Sequence, residues 1–434
     1  MENEKVLSKG KERLIKTLAE FCRILIGVTF IFSGSVKAMD PTGGAIKITD
    51  YLTAFHLSQF HSIAVPFSFN LSALEATIGV CMLLGVYRKY ASYLTLLFML
   101  IMTPLTLYLA LFNPVSDCGC FGDAIILSNW ATFGKNIVLL AASIVLILYH
   151  NRLLRIYTFH AYWFVALFTY LFFIAFAWQN YSHLPMVDFR AYKIGTNIPE
   201  KMKIPDGAPQ DVYAYSFVYA KDGKEKTYAL DNAPASDSTW KFVRSETKLI
   251  KKGYTPPIAS FNIFDADGND VTEQILSDTT GVVLLISPKL EEATDDRIEE
   301  ISDIYDYTLD HDLQFYCVTG SSQKDIDSWT DNTGAEYPYL MADDVLLKTM
   351  IRSNPGLILL RGGTIINKWH YNDLPDEKHL AAVLRSHDYV QKAKIKEDGR
   401  LETNLFSFAV PLLLVWCYDG IRNRKWRKKK ETNE

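Results

Sequence analysis

The stretch of sequence that decides the fold lies at residues 91–112 and reads ASYLTLLFMLIMTPLTLYLALF. It has 22 residues and no Asp, Glu, Lys, Arg or His. About 20 mostly apolar residues are needed for an α-helix to cross about 30 Å of hydrocarbon, so this stretch predicts a membrane span. Further apolar stretches predict five more spans, at residues 21–39, 71–87, 133–149, 161–178 and 405–418 or 405–421. The sequence therefore predicts an α-helical membrane bundle.

Lysine and arginine residues flank these spans in a regular way. They are Lys5, Lys9, Lys11, Arg13 and Lys16 in the leader, Arg88 and Lys89 after the second predicted span, Arg152 and Arg155 after the fourth, and most of residues 422–430. Such residues accumulate in cytoplasmic flanks. We therefore expect both termini on the cytoplasmic side of a bacterial inner membrane, and residues 40–70, 113–132 and about 180–400 outside the cytoplasm. The leader has no Ala-x-Ala cleavage site and is expected to be a retained signal anchor.

Composition varies along the chain. The mean hydropathy of +0.03 averages an apolar first 180 residues with a polar, acidic stretch at about 180–400. The net charge of −4 and a single basic run at the C-terminus argue against a nucleic-acid partner. With 434 residues, more than one compact unit is expected. The predicted units are a four-helix membrane domain at 1–150, a fifth membrane helix at 151–180, a β-rich connector at 181–255, an α/β domain at 256–400, and a sixth helix with a basic tail at 401–434.

Strand-like and helical stretches alternate in the fourth of these units. Strands are predicted at 281–287, 313–320, 356–360 and 364–369, and helices at 291–309, 322–329 and 343–352. This order resembles the thioredoxin-like fold over about residues 257–375. The resemblance implies a cis bond before Pro355 and a domain that acts as a binding module.

The α/β domain lacks the thiols of redox-active thioredoxin-like proteins. Where those proteins carry Cys-x-x-Cys, this chain reads Ser287-Pro288-Lys289-Leu290-Glu291-Glu292. Cys317 lies inside a predicted strand and is expected to be a small buried hydrophobic residue. Because thiolate attack drives disulfide exchange, we predict that this domain does not exchange disulfides by itself.

Two of the six cysteines, Cys118 and Cys120, are close in sequence, in the motif Ser116-Asp117-Cys118-Gly119-Cys120-Phe121-Gly122-Asp123. Gly119 permits the backbone of a very small, strained disulfide ring, and a strained disulfide exchanges readily. Outside the cytoplasm thiols are driven toward disulfides. The interpretations are a redox-active pair, metal-binding thiolates, or cysteines that are structural or unreactive.

Ionisable residues are expected on the same side of the membrane as this motif. Lys37 ends the first predicted span, Glu75 opens the second, and Lys135 opens the fourth with Asn136. Charged groups at such positions are usually paired or functional. Lys37 and Glu75 either form a stabilising ion pair, or Glu75 shuttles a proton. His56 and His61 lie in the first outward loop, and their five-residue spacing gives no regular metal-binding face.

The first two spans, the Cys-Gly-Cys-Phe-Gly-Asp motif and residues 130–136 resemble the DoxX family, and more closely the methylamine-utilisation MauE proteins grouped with it. The resemblance covers about residues 15–150. It implies a four-helix membrane core that assists disulfide formation or electron flow in an extracytoplasmic partner. The positions that match the family motifs are Arg23, Gly34, Lys37, Glu75, Cys118 and Cys120.

Three functions follow from these observations as hypotheses. The first is a membrane thiol–disulfide oxidoreductase that uses Cys118 and Cys120 as catalytic residues, supported by Glu75 and Lys37, with an extracytoplasmic protein as client. No cofactor is assigned, and a membrane quinone is the candidate electron acceptor. The second is a non-enzymatic envelope scaffold or assembly factor whose thioredoxin-like domain binds a partner. The third is metal handling by the two thiolates with His56 or His61.

Overall fold

Residues 9–115, 117–210, 212–221, 224–229, 240–251, 253–386 and 388–432 are described by a computed structural model. The N-terminal part is helical. Its helices are α1 (Lys9–Met39), α2 (Pro41–Ala54), α3 (Ala64–Leu84), α4 (Arg88–Phe112), α5 (Asn129–Tyr149) and α6 (Tyr162–Ser182).

The remainder of the chain combines strands and helices and ends in one long helix. The elements are α7 (Ile198–Met202), β1 (Val212–Lys221), β2 (Lys224–Ala229), β3 (Lys241–Lys251), α8 (Thr272–Ser277), β4 (Val282–Ser287), α9 (Ile298–Asp310), β5 (Gln314–Thr319), α10 (Gln323–Thr333), β6 (Tyr339–Met341), α11 (Asp344–Met350), β7 (Gly356–Arg361), β8 (Thr364–His370), α12 (Glu377–Arg385) and α13 (Tyr389–Thr432).

Within the described part of the chain, five helical segments are long and apolar enough to cross a membrane. They are Ser58–Leu84, Arg88–Phe112, Asn129–Arg152, Phe159–Ser182 and Tyr389–Arg424. Five of the predicted spans fall mainly within these segments, namely those at 71–87, 91–112, 133–149, 161–178 and 405–421. Helix α13 is unbroken at residue 401, where the last unit was predicted to begin. The α1 helix, predicted to span at 21–39, is not among the five. The protein is thus a multi-pass membrane protein, and the span at residues 21–39 stays a prediction.

Helix α1 nevertheless runs antiparallel to α3 in close contact. A Cβ atom added at Gly34 would lie 2.6 Å from the backbone of α3, and one at Gly79 would lie 2.7 Å from the backbone of α1. Any side chain at these positions would push the two helices apart. Arg23, in the middle of α1, donates to the carbonyl of Met82, at 3.1 Å, and to that of Leu83. These carbonyls belong to the last turn of α3, where cations are favourable.

The α/β domain (residues 256–386) is built on a five-stranded mixed sheet in the order β6-β5-β4-β7-β8. Strand β4 pairs parallel to β5 and antiparallel to β7, and β7 pairs antiparallel to β8. All residues of the central strand β4 are buried, because hydrophobic clusters cover both faces of the sheet. The bond between Asn354 and Pro355 is cis, as the thioredoxin-like resemblance implies. The predicted fold class, a membrane helical bundle with an α/β domain, is confirmed.

Two details of the sequence prediction are wrong. The helix predicted at 291–309 begins only at Ile298, because the preceding segment crosses the loop before Pro355, where the Thr294 amide donates to the Asn354 carbonyl at 3.3 Å. The loop predicted at residues 40–70 contains helix α2, which was not predicted. Asp40 caps the start of α2 by accepting from the Gly43 amide at 2.8 Å, and Pro41 follows it.

A separate sheet of order β2-β1-β3 lies in the predicted connector.

Candidate thiol site

The close approach of α1 and α3 creates a buried ion pair. Lys37 Nζ lies 2.6 Å and 2.8 Å from the two carboxylate oxygens of Glu75. The side chains are 12% and 2% exposed. Ser33 lies one helical turn before Lys37, and its hydroxyl is 2.7 Å from Glu75 Oε2 and 2.7 Å from the carbonyl oxygen of Cys120. The carboxylate and the carbonyl thus compete for one hydroxyl hydrogen, and Ser33 connects the ion pair to the cysteine motif.

The Cys-Gly-Cys loop (residues 117–123) brings its two sulfur atoms together. Cys118 Sγ and Cys120 Sγ are 2.7 Å apart. The turn between them depends on Gly119, which has a φ of +65°, and its amide donates to Asp117 Oδ1 at 2.9 Å. A disulfide requires sulfur atoms about 2.05 Å apart. A small movement therefore suffices to join or separate the two thiols.

The two thiols differ in acidity. Contact with the Cys118 sulfur, together with nearby Lys135 and Lys37, lowers the Cys120 pKa to about 6 against the opposing effect of burial. The same contact and burial raise the pKa of Cys118. Cys120 is therefore the more acidic thiol of the pair.

Aromatic residues enclose the side of the loop that faces the helices. Lys135 Nζ lies 4.1 Å above the centre of the Phe121 ring, a cation–π contact. Phe121 also packs edge-to-face on Phe32, with ring centres 5.3 Å apart. This arrangement keeps the ammonium group of Lys135 close to Cys120.

A small cavity lies behind Cys120. It has a volume of about 30 Å³, and its lining includes Ser33, Lys37, Glu75, Lys135 and apolar side chains such as Met99. Water needs roughly 10–15 Å³ of such space, so the cavity has room for water. A quinone ring does not fit in this cavity.

Helix α2 covers the other side of the thiols. The Tyr51 hydroxyl donates to the Cys118 carbonyl at 2.9 Å, and Lys47 pairs with Asp117 at 2.8 Å. Cys118 is 7% exposed and Cys120 is half-buried. A partner molecule therefore reaches Cys120 more easily than Cys118.

The structure brings together Lys37, Glu75, Lys135, Cys118 and Cys120, which the sequence analysis placed on one side of the membrane. Asn136 lines the same cavity. Arg23 and Gly34 act in helix packing instead. Among the described residues, no group of three or more His, Cys, Asp or Glu side chains could hold a metal ion. His61 instead lies 3.2 Å from the Thr53 hydroxyl.

Sequence reasoning missed Ser33, Lys47, Tyr51 and Arg352. Ser33 could have been found, since it precedes Lys37 by four residues and shares its helix face. The others become neighbours only through the tertiary structure.

The turn at residues 287–292 of the α/β domain has no thiol. The Ser287 hydroxyl donates to Asn354 Oδ1 at 2.7 Å, and the Asn354 amide donates to the Lys289 carbonyl at 2.8 Å. Cys317 is fully buried, which raises the pKa of its thiol. Within the described residues of this domain, no cysteine faces solvent.

The α/β domain contacts the thiol loop through Arg352. Its guanidinium group lies 2.9 Å from Asp40 Oδ2 and 3.4 Å from Asp123 Oδ2, and its side chain is 8% exposed. Asp123 ends the Cys-Gly-Cys loop, and Asp40 caps α2. The two parts of the chain are thus joined by charge pairs beside the thiols.

The fold and this site define the chain as a multi-pass membrane protein that carries a cysteine pair and an α/β domain. Residues 15–149 match the model of the family described as methylamine utilisation protein MauE, so the N-terminal membrane part is MauE-like. Residues 213–252 match a domain of unknown function, DUF8463.

Several solved structures have some similarity to the chain. One of them is a solution structure from Bacteroides thetaiotaomicron, described as that of a candidate protein disulfide isomerase, and the match covers 30% of this chain and 86% of that one at 17% identity and a TM-score of 0.23. A similarity at this level adds nothing to the assignment of function. The comparison with curated proteins found no match.

Proposed function

We propose that the protein exchanges a disulfide with an extracytoplasmic client protein through Cys118 and Cys120. The observation that carries this proposal is the pair of sulfur atoms 2.7 Å apart, with Lys37, Glu75 and Lys135 beside them. Two thiols in contact, one of them acidic, have the arrangement that disulfide exchange requires.

The exchange consists of two substitutions at sulfur. The Cys120 thiolate attacks a client disulfide, forms a mixed disulfide and releases one client thiolate, which takes up a proton. Cys118 then loses its proton and attacks the Cys120 sulfur, which releases the second client thiol. The client disulfide is reduced and the Cys118–Cys120 pair is oxidised, so two electrons pass to the client; one proton comes from Cys118 and the other from solvent. The reverse sequence oxidises a client dithiol, and the relative reduction potentials decide the direction.

Lys37 and Glu75 support this chemistry in the proposal. The Lys37 ammonium stabilises the Cys120 thiolate, and Glu75 keeps Lys37 in place while offsetting part of its charge. Ser33 links the carboxylate to the Cys120 carbonyl. Pairing also makes two charges tolerable in the apolar bundle.

The proposal includes a topology. Both termini lie in the cytoplasm of a bacterial inner membrane, and the connector at 181–255 and the α/β domain at 256–400 lie outside. The positive flanks of the spans support this orientation. Cysteine introduced at exposed Leu309 should react with an impermeant maleimide in intact cells, whereas cysteine introduced at Lys89 should react only after permeabilisation. The opposite labelling pattern would contradict the topology.

Trapping of the mixed disulfide tests the exchange. In Cys118→Ser, the mixed disulfide on Cys120 is no longer resolved, so full-length protein purified under acid quench should carry a client that dithiothreitol releases. Cys120→Ser is the matched control and should carry none. Equal amounts of adduct in both variants, or no adduct in either, would contradict the proposal.

An envelope scaffold is the second candidate function, favoured by an α/β domain that has no cysteine at residues 287–292. The double variant Cys118→Ser/Cys120→Ser separates the two functions. A scaffold keeps its cellular phenotype in this variant, whereas an exchange protein loses it.

A further inference from the structure

Arg352 is the contact between the α/β domain and both sides of the thiol site. Its Nε lies 3.1 Å from each carboxylate oxygen of Asp40, and its Nη2 lies 2.9 Å from Asp40 Oδ2. The same Nη2 lies 3.4 Å from Asp123 Oδ2. Arginine fits this role because its planar group presents several donors at fixed angles.

Asp123 and Asp40 are each connected to the thiols through a few residues. Asp123 follows Cys120 by three residues and ends the Cys-Gly-Cys loop. Asp40 caps α2, whose Lys47 and Tyr51 hold the beginning of the loop at Asp117 and at the Cys118 carbonyl. One guanidinium group thus restrains the loop from both ends.

The burial of Arg352 and Asp40 makes their contact significant. Arg352 is 8% and Asp40 is 15% exposed at the side chain. The pKa of Asp40 is lowered by Arg352 and then by Arg190, against the opposing effect of burial. The loss of one partner from a buried pair leaves an uncompensated charge, which is far more costly than the loss of an exposed pair.

We infer that Arg352 is a positioning residue for the Cys118–Cys120 pair, through which the α/β domain holds the redox loop in the conformation that favours the disulfide. This inference rests on the proposed exchange function. Two thiols held together form a disulfide at high effective concentration, and release of the loop lowers that concentration. The α/β domain therefore contributes a charge instead of a thiol.

The test is a redox titration of the full-length protein in nanodiscs. The protein is equilibrated with mixtures of reduced and oxidised glutathione, in which the pair becomes a disulfide as one oxidised glutathione becomes two reduced molecules. Alkylation and mass spectrometry of the peptide that contains Cys118 and Cys120 then give the equilibrium constant. The variants are Arg352→Gln and Arg352→Lys, with Arg297→Gln as the control. Arg297 forms an exposed ion pair with Glu300 in the same domain, at 2.6 Å.

Arg352→Gln should lower the equilibrium constant for disulfide formation by about tenfold, in line with the loss of a restraint worth about 1.4 kcal/mol. Arg352→Lys should restore part of it, and Arg297→Gln should match wild type. Asp123→Asn should also lower the constant and should not add fully to Arg352→Gln, since both remove the same contact.

A constant within twofold of wild type in folded Arg352→Gln would overturn the inference. A folded state is verified by the melting temperature of the same sample. If the wild-type pair itself does not titrate with glutathione, the proposed exchange function fails. The two failures are therefore distinguishable.

Discussion

The Cys-Gly-Cys loop and the turn at residues 287–292 are the two places in this molecule where a redox thiol is expected, and only the loop has one. The loop holds Cys118 and Cys120 beside cationic side chains. In the α/β domain the side chains of Ser287 and Asn354 hydrogen-bond across the turn instead. In the proposed function the disulfide chemistry therefore belongs to the membrane part, and the α/β domain contributes Arg352.

The largest expected effect concerns the cysteines themselves. Cys120→Ser should abolish disulfide exchange, because the thiolate is the nucleophile. Cys317→Ser should leave the exchange unchanged, because the Cys317 thiol is fully buried. The rate of exchange with a fluorescent disulfide peptide measures both. Loss of exchange in Cys317→Ser would place the reactive thiol in the α/β domain and reverse the comparison.

The buried ion pair should dominate the stability of the membrane part. Lys37→Met leaves Glu75 charged and unpaired at 2% exposure, which should cost about 3–5 kcal/mol in the free energy of unfolding. Lys289→Met removes an exposed pair with Glu292 in the α/β domain and should cost less than about 1 kcal/mol. Unfolding by sodium dodecyl sulfate in mixed micelles compares them. Equal costs would show that the Lys37–Glu75 pair is not buried in the folded protein.

The reactivity of Cys120 should follow its lowered pKa of about 6. The thiolate predominates above this pH, so the alkylation rate should be nearly constant from pH 7 upward and should fall toward tenfold per unit below pH 6. Lys135→Met removes a nearby positive charge and should move the profile to higher pH. Lys241→Met, at an exposed position in β3, is the control. A profile centred near the usual cysteine pKa in wild type would contradict the assignment of Cys120 as the thiolate.

The smallest effect is expected at the thiol-free turn. Asn354→Ala removes the side-chain hydrogen bonds to Ser287 and Lys289 and should cost about 1–2 kcal/mol, since each contributes about 1 kcal/mol. Disulfide exchange should stay at the wild-type rate. A large loss of exchange without a loss of stability would mean that the turn takes part in the chemistry.

The sequence predicted much of the fold because the apolar spans and the alternating strands of the α/β domain are local patterns. It also predicted the thiol pair and the convergence of Lys37 and Lys135, because these two lysines lie near helix ends that positive flanks orient. Glu75 was predicted to open its span but lies in the middle of α3, which begins at Ala64. Helix α2 was missed, since Gly43 and Gly44 lower its helix propensity and Asp40 and Pro41 are weak signals by themselves. Arg352 and Asp40 are far apart in the chain, so no local sequence pattern predicts their contact.

The most direct test of the central claim is the redox state of Cys118 and Cys120 in intact cells. Thiols are trapped by acid and alkylated before lysis, and the peptide that holds both cysteines is weighed by mass spectrometry after growth under oxidising and under reducing conditions. The account predicts that the pair changes between disulfide and dithiol with the growth condition. Two thiols that stay reduced in both conditions would contradict it.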